Sequence, residues 1–558
     1  MKRWEIQNKF KVQSSKFKVE ELITLLLENR KIKTEKEIDS FLHPKLEEVT
    51  ISLVGFDKKQ LHKTLTRIEK AISQKEQIIV FGDYDVDGIT GTAVLWETLH
   101  GCSANVMPYI PNRVEEGYGL SSKGISNIKS QMPNVKLIIT VDNGIVANEA
   151  VDFANQEGID VIVTDHHVPS ETLPKAFAIV HTTMLCGAGV AWLLSQQIKD
   201  QIAKIKYNFE DDQQLELVAL ATIADLVPLT GANRTLVTFG LKKLRRTRRL
   251  GIVELLKEAA CDQSTLGVYE VGHIIAPRLN AAGRIENAMD SLRLLCTKDA
   301  ARAQVLASKL GVTNRSRQMM TIEAALHAIG RIKNQESRIK KLLFVAHESY
   351  QEGVIGLVAG KLVEEYYRPA IVLSVGDKYA KGSARSVSGF NMIDFLREHI
   401  THFVNVGGHP MAAGFTVETK NLPMLQKILE DFAEGMLDDV LLTRKIKIDC
   451  ELRFSEITKS TYLSLQRLAP FGMGNPEPVF MTSKVTVDDS RIIGRDGKHL
   501  KLRLSQGDKH FEAIAFGMSE FAAKIKDEKI VDVAYTIDNN VWNGTEKLQL
   551  KIKDIKVE

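Results

Sequence analysis

Three short apolar runs, each ending in acid, constrain this chain most. Ile78-Ile79-Val80-Phe81 leads into Gly82-Asp83-Tyr84-Asp85-Val86-Asp87-Gly88. Leu137-Ile138-Ile139-Thr140-Val141 leads into Asp142-Asn143-Gly144, and Val161-Ile162-Val163-Thr164 into Asp165-His166-His167. The runs are rich in β-branched residues and are separated by amphipathic stretches. Buried parallel strands alternating with helices give this texture. In an open α/β sheet, ligands bind at the carboxyl ends of the strands. Three strand ends therefore deliver acids and imidazoles to one edge. Asp225, at the end of the apolar stretch Ala221-Thr222-Ile223-Ala224, adds another carboxylate.

Such a cluster of like charges repels itself unless cations neutralise it. A calcium loop of the EF-hand type is excluded, because it needs a Glu at its twelfth position. Counting from Asp83, that position is Val94. Carboxylates with one or two imidazoles suit Mn²⁺ or Mg²⁺. Two such ions about 4 Å apart bind a phosphodiester, activate a water and stabilise the leaving oxygen. The five cysteines form no CxxC pair, so neither a disulfide scaffold nor a structural zinc site is expected.

Composition sets the remaining bounds. The 558 residues, at about 150 per domain, suggest three or four domains. An apolar content of 44% excludes whole-chain disorder. A net charge of +4 does not announce a nucleic-acid partner, so any basic surface is local. The first residues lack the apolar run of a signal peptide, and no stretch approaches the roughly 18 apolar residues of a membrane span. A cytoplasmic protein with no membrane association is expected.

The texture changes along the chain. Residues 1–70 read as a helical lead-in and 71–235 as the α/β core. Residues 236–340 read as helical, with Ala303–Ile329 as a long connector, and 341–440 as a second α/β pattern. Residues 441–558 alternate apolar and polar positions, as in Lys445-Ile446-Lys447-Ile448, with turn signals at Asp496-Gly497 and Asn543-Gly544. Regular short strands of this kind suggest a small β-barrel.

Eleven segments carry a resemblance. FGDYDVDGITG, VDNGI, VTDHHVP and ATIADLVPL resemble the ordered motifs of the DHH phosphoesterase superfamily. PNRVEEGYGL, LCGAGVAW, APRLNAAGRIENA, EGVIGLVAGKL, GSARSVSGF, GGHPMAAGF and APFGMGNPEPVF narrow it to the RecJ family of single-strand-specific 5′→3′ exonucleases. The resemblance runs from about residue 75 to the C-terminus. It implies an α/β fold: a parallel-sheet DHH core joined by a helical connector to a smaller DHH-associated domain, then an OB-type barrel. The activity implied is two-metal hydrolysis of single-stranded DNA, releasing 5′-mononucleotides during repair and recombination. A monomer is expected, working beside a single-strand-binding protein and a RecQ-type helicase.

Residue by residue, the resemblance assigns metal ligands to Asp83, Asp85, Asp87, Asp142, His166 and Asp225, with Asp142 bridging two ions. Related phosphatases carry a His at the place of Asp83. Asp165 is expected to orient an imidazole, and His167 to face the scissile phosphate. Arg113, Ser383 and Arg385 resemble a pocket for the 5′-phosphate; guanidinium groups bind phosphate bidentately. Arg278, Asn280, Arg284 and His409 are expected at the DNA, with helix packing the alternative for the helical three. The run Lys242 to Arg249, with six cations, is a solvated face or a DNA-facing rim. In the barrel Tyr535, Phe511, Phe516 and Trp542 are aromatic, and Trp542, beside a turn, is the best base-stacking candidate.

Two segments depart from the family pattern. Ile179-Val180-His181-Thr182 stands where an Asn-Pro pair is usual, and Gln351-Glu352 where a His is common before Gly353. Two other functions remain open: a DHH phosphodiesterase for cyclic dinucleotides or short oligonucleotides, and a non-catalytic DNA-binding scaffold. The first generally lacks the barrel and connector; the second can lose metal acids.

Overall fold

The strand Gln77–Gly82 sits inside a five-stranded parallel sheet, with Val106–Tyr109 on one side and Val135–Val141, Asp160–Asp165 and Ala178–His181 following on the other. The computed structural model describes residues 2–8, 18–113, 115–202, 214–335, 340–542 and 544–557. Ile78 to Phe81 are fully buried, as a strand covered on both faces must be. The helices Ser122–Gln131 and Asn148–Gln156 cover one face through Ile125, Ile128, Val151 and Ala154. The helices Val86–Gly101, Gly187–Gln201 and Leu215–Ala224 pack on one another in turn. Leu215–Ala224 is buried from Leu215 to Ile223, which explains its apolar sequence and the absence of an amphipathic stripe.

Strand order reverses at Gln77–Gly82. The chain goes first to Val106–Tyr109 on one flank and then to Val135–Val141 on the other. The helical connections there leave opposite faces, which opens a crevice at the carboxyl ends. Asp83 and Asp142 follow the two strands that flank this switch point.

The same compact body, Thr50–Asp225 with Gly240–Arg444, holds a second sheet. Its order is Asn405–His409, Ala412–Glu418, Tyr379–Arg385, Ala370–Val375 and Leu343–His347; the last two are parallel and the others antiparallel. The helix Ala300–Gln335 connects the two halves of the body along the chain. In the cationic run, Arg249 is a structural residue, held at 2.6 Å by Glu97 and 3.0 Å by Glu216. Thr247 is buried, while Lys242, Arg245, Arg246 and Arg248 remain exposed.

A second compact body combines Met1–Val49, Leu226–Phe239 and Lys445–Glu558. Its barrel closes through Phe480–Ile493, His499–Gln506, Lys509–Ala515, Thr545–Val557 and Ile530–Trp542, which returns to Phe480–Ile493. Closure removes sheet edges. The opening residues differ from a purely helical lead-in. Arg3–Ile6 is a strand paired in parallel with Lys445–Ile448, and the helix Val19–Asn29 drives Leu22, Ile23 and Leu26 into the barrel core. Local periodicity marks that helix but carries no signal for a partner more than 400 residues away.

Among the described residues, no helix is long and apolar enough to cross a membrane. All five cysteines are free thiols.

Candidate metal centre and strand-end pocket

Asp85 caps the helix Val86–Gly101, its Oδ1 accepting the N–H groups of Asp87 at 2.9 Å and Gly88 at 3.1 Å. The turn is this tight because residue 88 is glycine: a Cβ there would lie 2.6 Å from backbone atoms of Asp83. Asp87 is buried, and its two oxygens accept the N–H groups of Gly187 at 2.6 Å and Ala188 at 2.7 Å. These amides open the helix Gly187–Gln201, whose N-terminal dipole favours a carboxylate. Asp142 leaves its strand at φ +64°, in the left-handed region that Asp tolerates better than most residues.

A hydrogen-bond net stitches the strand ends together. The Thr164 hydroxyl donates to the Thr140 carbonyl at 2.6 Å, and the Thr140 hydroxyl to the Asn143 carbonyl at 2.7 Å. The Asn143 amide donates to the Val141 carbonyl at 2.9 Å and the Phe81 carbonyl at 3.3 Å. Three strands are thereby fixed in register where their acids emerge.

Nε2 of His166 lies 3.0 Å from Asp142, 3.6 Å from Asp87 and 3.7 Å from Asp225. Three sets of potential ligand atoms result, each set lying within 4.8 Å: Asp83, Asp85 and Asp142; Asp87, His166 and Asp225; Asp142, His166 and His167. Asp142 belongs to two of them. Among the described residues, Oδ1 of Asp83 is buried and accepts no hydrogen bond, and the buried Oδ1 of Asp142 has only the His166 ring nitrogen, at 3.0 Å, beside it. Orphaned buried carboxylate oxygens are costly unless a cation meets them. Oxygen donors with an imidazole fit Mg²⁺ or Mn²⁺.

Electrostatics point the same way. Burial raises the Asp83 carboxyl well above the ordinary range, and Asp85 adds to it. Burial and then the charges of Asp87, Asp85 and Asp83 do the same to Asp142. Asp85 and Asp225 are raised by burial first and then by Asp87. Asp165 behaves differently. Burial would raise it, but the hydrogen bond and charge of His167 and the N–H of Ile145 hold it below the ordinary value. His167 is correspondingly pushed up to about 9: burial would lower it, and the bond to Asp165 overrides that. His166 is lowered by its burial.

The expected end-reading residues lie in the same body. Arg385 donates to the Ser383 hydroxyl at 3.2 Å, and a Cβ on Gly356 would stand 2.8 Å from its Nη2 and 2.9 Å from Ser383 Oγ. Both side chains therefore lie against the start of the helix Ile355–Tyr366. Arg113 lies over the ring of Tyr84, 5.2 Å from its centroid. Arg385 is held below the usual guanidinium range by burial and then by Arg113. Arg284 is lowered to about 10, by burial and then by the charges of Arg113, Arg317 and Arg385. The His409 ring stacks on His167 at 6.4 Å.

Other expected residues have different partners. Arg278 is ion-paired with Glu258 at 2.8 Å, the packing alternative. Asn280 accepts the N–H of Val86 at 2.9 Å, so it braces the acid-bearing turn instead of facing outward. The Trp542 side chain lies outside the described residues. Tyr535 is fully buried with its hydroxyl on Thr482, and Phe511 packs on the barrel core, whereas Phe516 is 57% exposed. Tyr118, 54% exposed with its hydroxyl 3.1 Å from Nε2 of His167, was not anticipated. Its position in PNRVEEGYGL was the only available signal. His181 was noted as a departure; its Nε2 meets the His167 carbonyl at 2.7 Å and steadies the Asp-His-His turn.

The sheet and its acids define a DHH-type phosphoesterase. Residues 77–222 match the DHH family N-terminal domain, 339–435 the DHHA1 domain and 448–554 the RecJ OB domain. The chain is 36% identical over 572 aligned positions to the single-stranded-DNA-specific exonuclease RecJ of Bacillus subtilis, covering 100% of this chain and 71% of that protein. It is 33% identical to the RecJ exonuclease of Escherichia coli, covering 89% of this chain and 90% of that one. The crystal structure of Thermus thermophilus RecJ in complex with Mn²⁺ superposes with a TM-score of 0.83 at 28% identity, covering 100% of this chain and 80% of that chain. The chain belongs to the RecJ family of single-stranded-DNA-specific exonucleases.

Proposed function

We propose that the chain hydrolyses single-stranded DNA from the 5′ end, using two divalent cations, Mn²⁺ or Mg²⁺, and releasing 5′-mononucleotides. The observation that supports this reading most is Asp142, which shares one ligand set with Asp83 and Asp85 and another with His166 and His167, its buried Oδ1 lying 3.0 Å from the His166 ring that also belongs with Asp87 and Asp225. Asp83, Asp85 and Asp142 would hold one ion, and Asp87, His166, Asp225 and Asp142 the other. When bound, such a pair supplies an activated water and charge stabilisation of the leaving oxygen. His167, kept protonated by Asp165, presents positive charge to the scissile phosphate. Arg113, Ser383 and Arg385 seat the 5′-terminal phosphate and set the first bond over the acids. The OB barrel supports single-strand binding, with Phe516 the exposed aromatic. The presence of the whole acid set opposes a purely scaffolding role.

Family membership supports a cytoplasmic repair and recombination enzyme, monomeric, working with a single-strand-binding protein and a RecQ-type helicase. The test is digestion of single strands labelled at either end, 5′-phosphorylated or not, with Mn²⁺, Mg²⁺ or chelator. Wild type should shorten them from the 5′ end only with metal. Asp142→Ala should lose more than about 90% of the rate and keep DNA binding, since several kcal/mol of transition-state stabilisation go with the shared ligand. Metal-independent digestion, or digestion from the 3′ end, would overturn the reading.

A further inference from the structure

The cationic run Lys242 to Arg249 ends in two arginines with different surroundings. Arg249 is fully engaged: its guanidinium meets both oxygens of Glu97, at 2.6 Å and 3.1 Å, Glu216 at 3.0 Å and the Leu295 carbonyl at 2.8 Å. Arg248 is exposed and makes no ion pair or side-chain hydrogen bond among the described residues. Both border a cavity of about 610 Å³ in the catalytic body. Trp96, His100 and Gly101 place that cavity at the C-terminal end of the helix Val86–Gly101. Asp87 stands in the first turn of the same helix, which is 16 residues, or about 24 Å, long. The cavity is therefore remote from the acid cluster.

Its lining is asymmetric in chemistry. Trp96, Leu250 and Leu295 supply apolar surface, and the His100 ring stands 5.3 Å from that of Trp96. The side-chain oxygens of the lining are in use. Glu97 is held by Arg249, the Gln214 oxygen accepts from Lys199 at 2.7 Å, and the Thr297 hydroxyl accepts the N–H of Asp299 at 3.2 Å. What remains unpaired donates. Nε1 of Trp96 is buried without a partner. Arg248 and Lys298 are exposed cations with no partner among the described residues. An indole N–H, a guanidinium and an ammonium are donors only. Glu97 is the one acid of the lining, and Arg249 neutralises it.

We propose that this cavity binds a nucleoside 5′-monophosphate, apart from the catalytic centre. Free donors beside apolar walls call for a ligand that is an anion at one end and a flat apolar plate at the other. The fork of Arg248 and the charge of Lys298 suit a phosphate. The rings of Trp96 and His100 suit a base. A bare phosphate would leave the apolar wall wet, and a purely apolar molecule would leave the donors unpaired. The volume lies in the range of roughly 300–1,000 Å³ usual for small-molecule sites. A mononucleotide is what the proposed reaction releases, so the inference rests on that reading for the source of the ligand, and on the cavity alone for the site.

Full-length protein in chelator would be titrated calorimetrically with dAMP. Chelator removes nucleotide held through metal, and Arg385→Ala removes binding at the strand-end pocket. The Arg385→Ala protein should still bind one dAMP per chain. Adding Arg248→Gln or Lys298→Gln should weaken that binding about tenfold, the size of one charge-assisted bond. Deoxyadenosine and inorganic phosphate should each bind at least about tenfold more weakly than dAMP, because each offers one end only. Absence of dAMP binding in Arg385→Ala, or undiminished affinity in both double variants, overturns the inference. Phosphate bound as tightly as dAMP also overturns it, since that describes an anion site with no place for a base. Should the double variants fail to fold, Arg248→Gln and Lys298→Gln alone carry the test: each should weaken one of two dAMP sites seen in wild type, and two undiminished sites overturn the inference. Digestion of single strands is read separately. A chain that binds dAMP here but digests nothing leaves the site standing and sinks the proposed function, whereas one that digests strands and binds no dAMP here loses the site alone.

Discussion

Nδ1 of His167 lies 2.7 Å from Oδ1 of Asp165, the residue that opens the same Asp-His-His turn. That oxygen also accepts the N–H groups of His166 at 2.7 Å and His167 at 3.1 Å, while Oδ2 accepts that of Ile145 at 2.9 Å. Asp165 thus has no free oxygen aimed at the cluster. It sets the angle of the turn and keeps the His167 ring charged.

Asp165→Asn tests this. The amide keeps the size but loses the charge, and its nitrogen cannot accept at whichever of the two positions it occupies, that of Oδ1 or that of Oδ2. Activity should fall about 10- to 100-fold, the usual range for outer partners of a metal site, while affinity for single-stranded DNA changes little. In the chelated protein the His167 ring should titrate lower than in wild type, where the bond to Asp165 pushes it up. An Asn variant whose His167 titrates as in wild type would show that the charge comes from elsewhere. Proton NMR of the imidazole signals makes the measurement.

How far the sequence carries differs between parts of the site. That Asp83, Asp85, Asp87, Asp142, His166 and Asp225 gather at one edge was legible because each follows a strand or helix whose period is visible, and strand ends in such a sheet must share one edge; their assignment as ligands came from the resemblance. Tyr118 was not, because it lies in a loop with no periodicity and only its place in PNRVEEGYGL marks it. Asn280 was legible as polar among small residues, but its partner, the N–H of Val86, is visible only in three dimensions. The two long-range pairings of the first fifty residues, a strand and a helix, were hidden for the same reason.

Chelation should make stability depend on pH with a definite sign. Asp83, Asp85, Asp142 and Asp225 are raised above the ordinary carboxyl value of 3.8. The folded metal-free chain therefore holds protons that the unfolded chain has released. Their contribution is complete below that value and is lost as pH rises through the raised ones. His167, raised from 6.5 to about 9, loses its contribution in the same direction over that higher window. Asp165 is lowered, so its contribution is present above the ordinary carboxyl range and lost only in acid. The chelated protein should therefore melt at progressively lower temperature between about pH 5.5 and 8.5. Carboxylates must be deprotonated to bind a metal, so the melting-temperature gain from Mn²⁺ should grow over the same window. A gain independent of pH would contradict this arrangement of acids.

Leu26→Ala addresses the barrel. Leu26 is fully buried and belongs to one core cluster with Phe480, Leu500 and Tyr535, although it lies far from them in sequence. Removing it should lower the stability of the barrel's unfolding transition by about 2–5 kcal/mol, the cost of an unfilled core site. Denaturant titration followed by barrel fluorescence would read it. A loss below about 0.5 kcal/mol, typical of surface positions, would mean the helix Val19–Asn29 merely lies on the outside.

Gly187→Ala probes the metal centre without altering a ligand. A Cβ at Gly187 would stand 2.5 Å from the Cβ and 2.9 Å from the Cα of Asp142. Neither is the flexible end of a side chain, so either Asp142 or the helix Gly187–Gln201 must move. That helix holds Asp87 through its first amides, at 2.6 Å and 2.7 Å, so both sets of acid ligands are disturbed together. Asp142, already at φ +64°, has little backbone freedom with which to retreat. The Mn²⁺ concentration for half-maximal activity should rise about 10- to 100-fold, with a corresponding loss of rate at limiting metal. Saturating Mn²⁺ should restore part of the rate, since every ligand atom is still present. The barrel should unfold as in wild type, because the substitution lies in the other body. Half-activation at the wild-type Mn²⁺ concentration would mean the helix gives way without moving either carboxylate, and that the close approach at Gly187 is not what fixes the two acids.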